Sequence, residues 1–170
     1  VLLADRCERL GLSVPEITGA TREKLEQCLP EFASARNPID LTAQGGRDVS
    51  TWGKCLQILV DDPGIDVVMA QAFFREEVGM RVAEDLVEIC RSTHKPVVLM
   101  THHRDESEFV ARCIALVEGA GIPILTDGLQ AVEAVAKLHW YHQKASQGGA
   151  ADSQPPRILP GEGVGALIHS

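Results

Sequence analysis

The sequence predicts an α/β domain built on a parallel sheet, and two observations lead to this fold class. Short apolar runs at residues 65–70, 96–100 and 122–125 have the length and composition of buried strands. Segments of ten or more residues with helical periodicity lie between these runs. Strands that are apolar throughout and are joined by helices are typical of βαβ units, in which the strands lie parallel.

Three helices and one long loop are predicted before the first strand. The helices cover about residues 1–10, 18–29 and 50–60, because apolar side chains recur there at helical spacing. Pro30 stops the second helix. Residues 32–48 follow neither the helical nor the strand period, and a loop of this length in a compact domain is often functional.

Three further helices alternate with the strands in the C-terminal half of the sequence. They cover about residues 76–91, 106–118 and 128–144. The strand at 122–125 contains Pro123, which has no backbone N–H to donate to a neighbouring strand. This strand is therefore predicted to lie at an edge of the sheet rather than at its centre.

The sequence predicts one domain, a linker and a short tail. The domain covers residues 1–143, and residues 144–163 have the Gly, Pro and Ser content of a linker. Residues 164–170 are apolar and strand-like, and they either complete the sheet or begin a further domain. An extended segment near residues 12–14 is also expected to join the sheet. Because the first helix has no cap and no preceding strand, we expect the chain to be a fragment of a longer polypeptide.

Charge and hydropathy argue against two classes of function. The chain has 16 Lys and Arg residues and 24 Asp and Glu residues, which give a formal net charge of -8. An acidic surface repels phosphate backbones and no compact basic stripe counters this charge, so no nucleic-acid binding is predicted. No apolar run approaches the roughly 18 residues that a membrane-spanning helix needs, so no membrane association is predicted.

The spacing of the cysteines gives no sign of a zinc site or a redox pair, both of which need closely spaced cysteines. Their number is odd and each falls in a segment with helical periodicity; they are Cys7, Cys28, Cys55, Cys90 and Cys113. Reduced, partly buried thiols in a cytoplasmic protein are therefore predicted.

Two segments carry a family resemblance. One is Leu12–Glu16, with the sequence Leu-Ser-Val-Pro-Glu, and the other is Asn37–Asp40, with the sequence Asn-Pro-Ile-Asp. With further matches around residues 62–68, 95–98 and 120–124, they resemble one domain of the NDP-forming acyl-CoA synthetases. These enzymes belong to the succinyl-CoA synthetase superfamily, and the resemblance covers roughly residues 1–143.

The resemblance implies a flavodoxin-like three-layer α/β/α domain with a parallel sheet, the second flavodoxin-like ligase-CoA domain of such enzymes. Family members convert an acid, ATP and CoA into acyl-CoA, ADP and phosphate. The phosphate passes through an acyl phosphate and a phosphohistidine, and the N-termini of two helices point at that phosphohistidine. The helix at 1–10 would be one of them, and none of the six histidines matches the family's phosphohistidine.

The resemblance also implies what the complete enzyme would contain. CoA, ATP and Mg²⁺ would bind to the complete enzyme. This chain alone is expected to bind none of the three and to supply no catalytic residue. The expected partners are a CoA-binding Rossmann domain and an ATP-grasp domain, in an oligomeric and cytoplasmic enzyme.

The long loop contains three candidate residues of an active-site wall, Asn37, Pro38 and Asp40. Because the residue before a proline is restricted to extended geometry, Asn37-Pro38 fixes the direction in which the side chains of this segment project. Asp40 either accepts backbone amides and holds the loop, or faces the active-site cleft.

Three more candidates follow predicted strands. Gln71 ends the strand at 65–70, whereas Thr101 and His102 follow the strand at 96–100. Ligands bind at the carboxyl ends of the strands in open α/β sheets. With no paired acid or cysteine at ligand spacing from His102, a polar loop is favoured over a metal site, and no metal is predicted.

Functions of other classes fit the sequence less well. A flavin-binding flavodoxin needs stacking aromatics at strand ends, but Trp52, Trp140 and Tyr141 are predicted in helices. A phosphate-receiving signalling domain needs an acidic residue at the end of a strand, but Asp66 begins its strand. The remaining alternative is a non-catalytic CoA-ligase-like module of a protein acyltransferase or a regulatory subunit.

Overall fold

The computed structural model of the chain describes residues 2–41, 49–75, 78–101 and 107–146. Within these ranges the helices are α1 (Leu2–Arg9), α2 (Gly19–Cys28), α3 (Val49–Asp61), α4 (Gly79–Ser92), α5 (Glu108–Gly119) and α6 (Gly128–Ser146). The strands are β1 (Val68–Gln71), β2 (Val97–Met100) and β3 (Ile124–Leu125). Each predicted helix and each of the three predicted strands is therefore present, with shifted ends.

The three strands form a parallel sheet in the order β1-β2-β3. Val68 lies opposite Val97, and Leu99 lies opposite Ile124. All four residues of β2 are buried, as expected for a central strand whose two faces are both covered. The predicted parallel sheet is confirmed, and in its described part the strand that follows Pro123 lies at an edge.

The outer strands are shorter than predicted because neighbouring turns occupy their backbone groups. The N–H of Ile65 donates to the carbonyl of Asp62 at 3.2 Å, so β1 begins after this turn. The N–H of Ile122 donates to the carbonyl of Val117 at 3.3 Å, and Pro123 has no N–H. Only two residues therefore remain in β3.

Residues 12–14 form no strand and do not pair with the described strands β1 to β3, so the prediction that they join the sheet is wrong. Gly11 has a φ of 77°, a left-handed conformation that glycine adopts without steric cost. Its N–H donates to the carbonyl of Glu8 at 3.0 Å, and the N–H of Leu12 donates to that of Cys7 at 2.9 Å. These two bonds are those of a Schellman motif, so the backbone here closes α1 instead of pairing with a strand.

The chain divides into two compact units. The first comprises residues 1–14 and 128–170, and the second comprises residues 15–127. In the first unit α1 packs against α6, and a salt bridge joins Arg6 Nη2 to Glu133 Oε1 at 2.6 Å.

The second unit contains the sheet and the helices α2 to α5. Within it α2 packs against α3, α3 against α4, and α4 against α5. Buried side chains from these helices and from β1 and β2 form one hydrophobic core. Among them are Leu25, Cys55, Val60, Val68, Leu86, Leu99, Val110 and Cys113.

The predicted domain boundaries remain predictions. The helix α6 continues to Ser146, three residues into the predicted linker at 144–163. The tail at 164–170 lies outside the described residues, so the expectation that it completes the sheet stays a prediction. In the part of the chain that the structure describes, no helix is both long and apolar enough to cross a membrane.

Candidate functional site

Two of the predicted site residues come together at the carboxyl edge of the sheet. Gln71, the last residue of β1, lies opposite Met100, the last residue of β2, and Thr101 follows directly. The N–H of Ala72 donates to the carbonyl of Met100 at 3.1 Å, so the two strands remain paired beyond their ends. The candidates at these strand ends are thus one residue apart in register.

Thr101 has a buried hydroxyl group that no described residue contacts by a hydrogen bond. The residue is 1% exposed, and its Oγ1 has no hydrogen-bond partner among the described residues. Its backbone is fixed, because its N–H donates to the carbonyl of Leu125 at the end of β3 at 3.1 Å. A buried polar group without a hydrogen bond is unfavourable, and such groups often have a role in ligand binding or catalysis. The hydroxyl oxygen of Thr101 is therefore a buried polar atom at this strand end that no described residue satisfies.

The side chain of Trp52 contacts the same edge of the sheet, and this contact is not predicted from the sequence. Trp52 lies in α3, as predicted, but its indole Nε1 donates to the backbone carbonyl of Gln71 at 3.1 Å. A partly buried indole N–H usually finds an acceptor, and here the acceptor lies 19 residues further along the chain. The side chain of Gln71 itself is exposed.

The three candidates in the long loop lie together in a closed turn. Ser34 and Asp40 form an isolated antiparallel bridge, and the Asn37-Pro38 peptide bond within this turn is cis. The Nδ2 of Asn37 donates to the carbonyl of Pro15 at 3.1 Å. The amide of Asn37 thus joins the two sequence segments that carry the family resemblance.

Asp40 lies on the outer side of this turn. Its neighbours Ile39 and Leu41 pack against the hydrophobic core, whereas Asp40 is exposed. Alternating side chains of an extended segment point to opposite sides, which explains the pattern. Both interpretations of Asp40, as a loop anchor and as a residue of the cleft, stay predictions.

His102 and the end of the long loop lie outside the described residues. The predicted place of His102 in the active-site wall therefore stays a prediction. Within the described ranges, no group of three or more His, Cys, Asp or Glu side chains has the geometry to hold a metal ion.

Comparison with known proteins places these features in a family. The model of the family described as the Ligase-CoA domain matches residues 1–110. The chain belongs to this family. The match includes α1 to α4, β1, β2, the turn around Asn37 and the strand end at Thr101.

Two curated relatives of this Ligase-CoA domain are archaeal enzymes. Acetate–CoA ligase [ADP-forming] I of Archaeoglobus fulgidus is 29% identical over 147 residues, which are 83% of this chain and 19% of the relative. The alpha subunit of acetate–CoA ligase [ADP-forming] II of Pyrococcus furiosus is 30% identical over 129 residues, which are 72% of this chain and 27% of the relative. The chain thus spans about a fifth to a quarter of the curated relatives that it matches.

A solved structure confirms the predicted fold class. The dinucleotide-forming acetyl-coenzyme A synthetase 1 of Ca. Korarchaeum cryptofilum, in complex with phosphate and ADP, matches with a TM-score of 0.70. The match covers 85% of this chain and 31% of that chain, at 18% sequence identity. The Ligase-CoA domain described here therefore has the predicted flavodoxin-like α/β fold with a parallel sheet.

Proposed function

We propose that this chain works as a Ligase-CoA domain of a larger NDP-forming acyl-CoA synthetase. The observation that carries the proposal is the family match over residues 1–110. It includes both motif segments, which the hydrogen bond from Asn37 to Pro15 holds together. The names of the two curated relatives support a reaction in which a small carboxylic acid such as acetate, ATP and CoA yield acyl-CoA, ADP and phosphate.

The contribution of this chain is one wall of the active site. Gln71, Thr101 and His102 are the proposed ligand-facing residues at the strand ends. The turn with Asn37, Pro38 and Asp40 is the proposed wall formed by the loop. These groups offer hydroxyl, amide and carboxylate atoms for hydrogen bonding, so their proposed role is to bind and orient the substrate.

The N-terminus of α1 is proposed to face the phosphohistidine supplied by another part of the enzyme. The first N–H groups of a helix have no acceptor within the helix, and the helix dipole adds a partial positive charge there. Both effects stabilise a phosphoryl dianion. The chain alone, by this proposal, holds the phosphate from one side only.

CoA, ATP and Mg²⁺ are proposed to bind to the complete enzyme rather than to this chain. Transfer of phosphate from ATP requires a cradle for the triphosphate and a magnesium site. The glycine pairs at 45–46 and 148–149 lack the lysine and hydroxyl pattern of a phosphate-binding loop. A CoA-binding Rossmann domain and an ATP-grasp domain are the proposed partners, in a cytoplasmic and oligomeric enzyme.

The first experiment compares this chain with the full-length synthetase of which we propose it to be a domain. With ATP, Mg²⁺, CoA and acetate, the purified chain is expected to release no ADP, because by this proposal the nucleotide site belongs to another part of the enzyme. The full-length protein is expected to release ADP over many turnovers only when both CoA and a carboxylic acid are present, because ATP alone can phosphorylate the proposed histidine only once. ADP release and acyl-CoA formation are measured together, and the relative from Archaeoglobus fulgidus serves as the positive control.

Two results would contradict the proposal. Acid-dependent ADP release by the chain alone would show that it contains its own nucleotide site. Failure of the full-length protein to form any acyl-CoA from a panel of acids would favour the non-catalytic module of a protein acyltransferase or a regulatory subunit. Acetyl transfer to a protein substrate would then be measured instead.

Thr101→Val tests the proposed role of the strand end. Valine has the shape of threonine without the hydroxyl, so the variant removes a buried polar atom that has no partner among the described residues. We expect the free energy of unfolding to stay the same or to rise by about 1 kcal/mol. If the hydroxyl binds substrate, turnover of the full-length enzyme should fall roughly tenfold, about the effect of one hydrogen bond.

Thr93→Val is the matched control at the C-terminal cap of α4, in the segment that leads to β2. The hydroxyl of Thr93 accepts a hydrogen bond from the N–H of Lys95 at 3.1 Å, so its loss should lower the free energy of unfolding. We expect a decrease of about 0.5–1.5 kcal/mol with normal turnover of the folded enzyme. If the Thr101→Val variant is less stable but keeps full turnover, the hydroxyl of Thr101 stabilises the fold and does not bind substrate.

A further inference from the structure

Two cysteines that lie far apart in the sequence are in contact. Cys28 is the last residue of α2 and Cys55 lies within α3, and their Sγ atoms are 3.6 Å apart. The two helices pack against each other in the second unit. The sequence predicted no redox pair because no two cysteines are close in the chain. The packing of α2 on α3 brings these two sulfurs together, and all five cysteines are free thiols in the structure.

No other two cysteine sulfurs are in contact in the part of the chain that the structure describes, which includes all five cysteines. Cys7 belongs to the first unit. Burial raises the pKa of the Cys90 thiol to about 11, and burial also raises that of Cys113. These thiols are protonated at neutral pH and have no cysteine partner, so they provide internal controls.

The two thiols of the pair differ in access to solvent. Cys55 is 4% exposed, whereas Cys28 is half-buried and its thiol lies 3.3 Å from the carbonyl of Leu25. Burial, together with the hydrogen bond to Cys28, raises the pKa of the Cys55 thiol to about 12. A dissolved oxidant therefore reaches Cys28 first, and Cys55 is placed to react second.

The pair lies at the base of the segment that carries the Asn37 turn. The chain from Cys28 to Cys55 includes the whole of the long loop at residues 32–48, and this turn is part of that loop. A bond between the two sulfurs would close this segment into a ring and reduce the number of open conformations available to it.

We propose that Cys28 and Cys55 form a reversible disulfide in response to a hydroperoxide, and that this bond fastens the base of the loop that carries Asn37. A disulfide S–S bond is about 2.0 Å long, so the sulfurs must approach each other by roughly 1.6 Å from their present 3.6 Å. The inference rests on the two sulfurs and is independent of the proposed synthetase activity.

The reaction has two steps. The Cys28 thiol loses its proton and its thiolate attacks one oxygen of hydrogen peroxide; the O–O bond breaks, Cys28 becomes a sulfenic acid, and the other oxygen takes up the proton and leaves as water. The sulfur of Cys55 then attacks the sulfenic sulfur, the S–O bond breaks, and a second water leaves as the S–S bond forms. Two electrons pass from the thiols to the peroxide. A dithiol reductant reverses the change by thiol–disulfide exchange.

The test uses the full chain and hydrogen peroxide. After oxidation, free thiols are alkylated and the chain is digested without reductant for mass spectrometry. We expect one cross-linked peptide pair containing Cys28 and Cys55, with the loss of two hydrogens, and alkylated peptides for Cys90 and Cys113. Dithiothreitol should restore the two separate peptides. Cys90→Ser should leave the cross-link intact. Cys28→Ser should abolish it, and Cys55 should then be recovered as an alkylated free thiol.

A second measurement tests the effect on the loop. Limited proteolysis with trypsin should cut after Arg36, within the described turn, more slowly in the oxidised chain than in the reduced chain, and dithiothreitol should restore the faster rate. In Cys28→Ser, peroxide should leave the cutting rate unchanged.

Three results would overturn the proposal. One is oxidation of Cys28 to a sulfinic acid without a bond to Cys55. Another is a cross-link that joins other cysteines instead. The third is an unchanged rate of loop cutting when the bond between Cys28 and Cys55 has formed.

Discussion

Leu99→Ala should lower the free energy of unfolding by about 2–5 kcal/mol, the range measured when a buried leucine is truncated in a well-packed core. Leu99 lies in the central strand β2, is fully buried and belongs to the core of the second unit. Its N–H also donates to the carbonyl of Pro123 at 3.0 Å, which fixes the backbone. The surrounding residues can therefore collapse only in part around the cavity that alanine leaves.

Urea unfolding of the chain, followed by circular dichroism, measures this effect. Leu138→Ala is the matched control, because Leu138 is 54% exposed on α6 and its truncation should change the free energy of unfolding by less than about 0.5 kcal/mol. Equal losses in the two variants would mean that β2 does not form the centre of the core.

A comparison of the predicted and observed bounds of β1, β2 and β3 explains which parts of the fold could be predicted. The run at 96–100 is apolar at every position, and a buried central strand requires that composition. The position of β2 in the sheet could therefore be predicted from its residues alone. The ends of β1 and β3 depend on the turns beside them. Ile65 and Ile122 are apolar, but their N–H groups bond to turn and helix carbonyls, and hydropathy carries no information about such bonds.

The candidate site divides in the same way. Gln71 and Thr101 could be found from a general rule, because the ends of neighbouring parallel strands meet at one edge of the sheet. The hydrogen bond of the Trp52 indole and the contact between Cys28 and Cys55 could not be predicted from the sequence. Each depends on how α3 packs, across 19 residues in the first case and 27 in the second.

The loop lies between these two cases. The motif around Asn37 was evident from its resemblance to a family, yet the sequence left its role open. The hydrogen bond from Asn37 to Pro15, 22 residues earlier, gives a physical reason why the two motif segments occur together. Such a bond can be recognised only after both segments have been placed in space.

Gly79→Ala is expected to lower the free energy of unfolding by about 1–3 kcal/mol, the usual cost of overpacking a core. Gly79 is the first residue of α4 and is buried. A Cβ atom there would lie 2.8 Å from the Cα and carbonyl carbon of Phe74 and 3.1 Å from the ring of Phe109. Two of these three atoms belong to the backbone, so a change of side-chain rotamer cannot relieve the overlap.

Gly119→Ala is the control that separates this steric effect from the loss of glycine itself. A Cβ at Gly119, the last residue of α5, would meet nothing within 4 Å. Because alanine has a higher helix propensity, this variant should be unchanged or more stable by up to about 1 kcal/mol. Thermal and urea unfolding of both variants gives the comparison, and a Gly79→Ala variant as stable as Gly119→Ala would contradict the close approach of α4 to Phe74.

The same pair of variants links the fold to the proposed site. Residues 72–75 lead from the end of β1 toward α4, so a shift of α4 away from Phe74 would disturb the backbone just beyond Gln71. In the full-length enzyme, Gly79→Ala should therefore raise KM or lower turnover in the folded fraction, whereas Gly119→Ala should change neither. Normal kinetics for both variants would show that the strand end at Gln71 tolerates movement of α4, and would weaken the proposal that it forms part of the active-site wall.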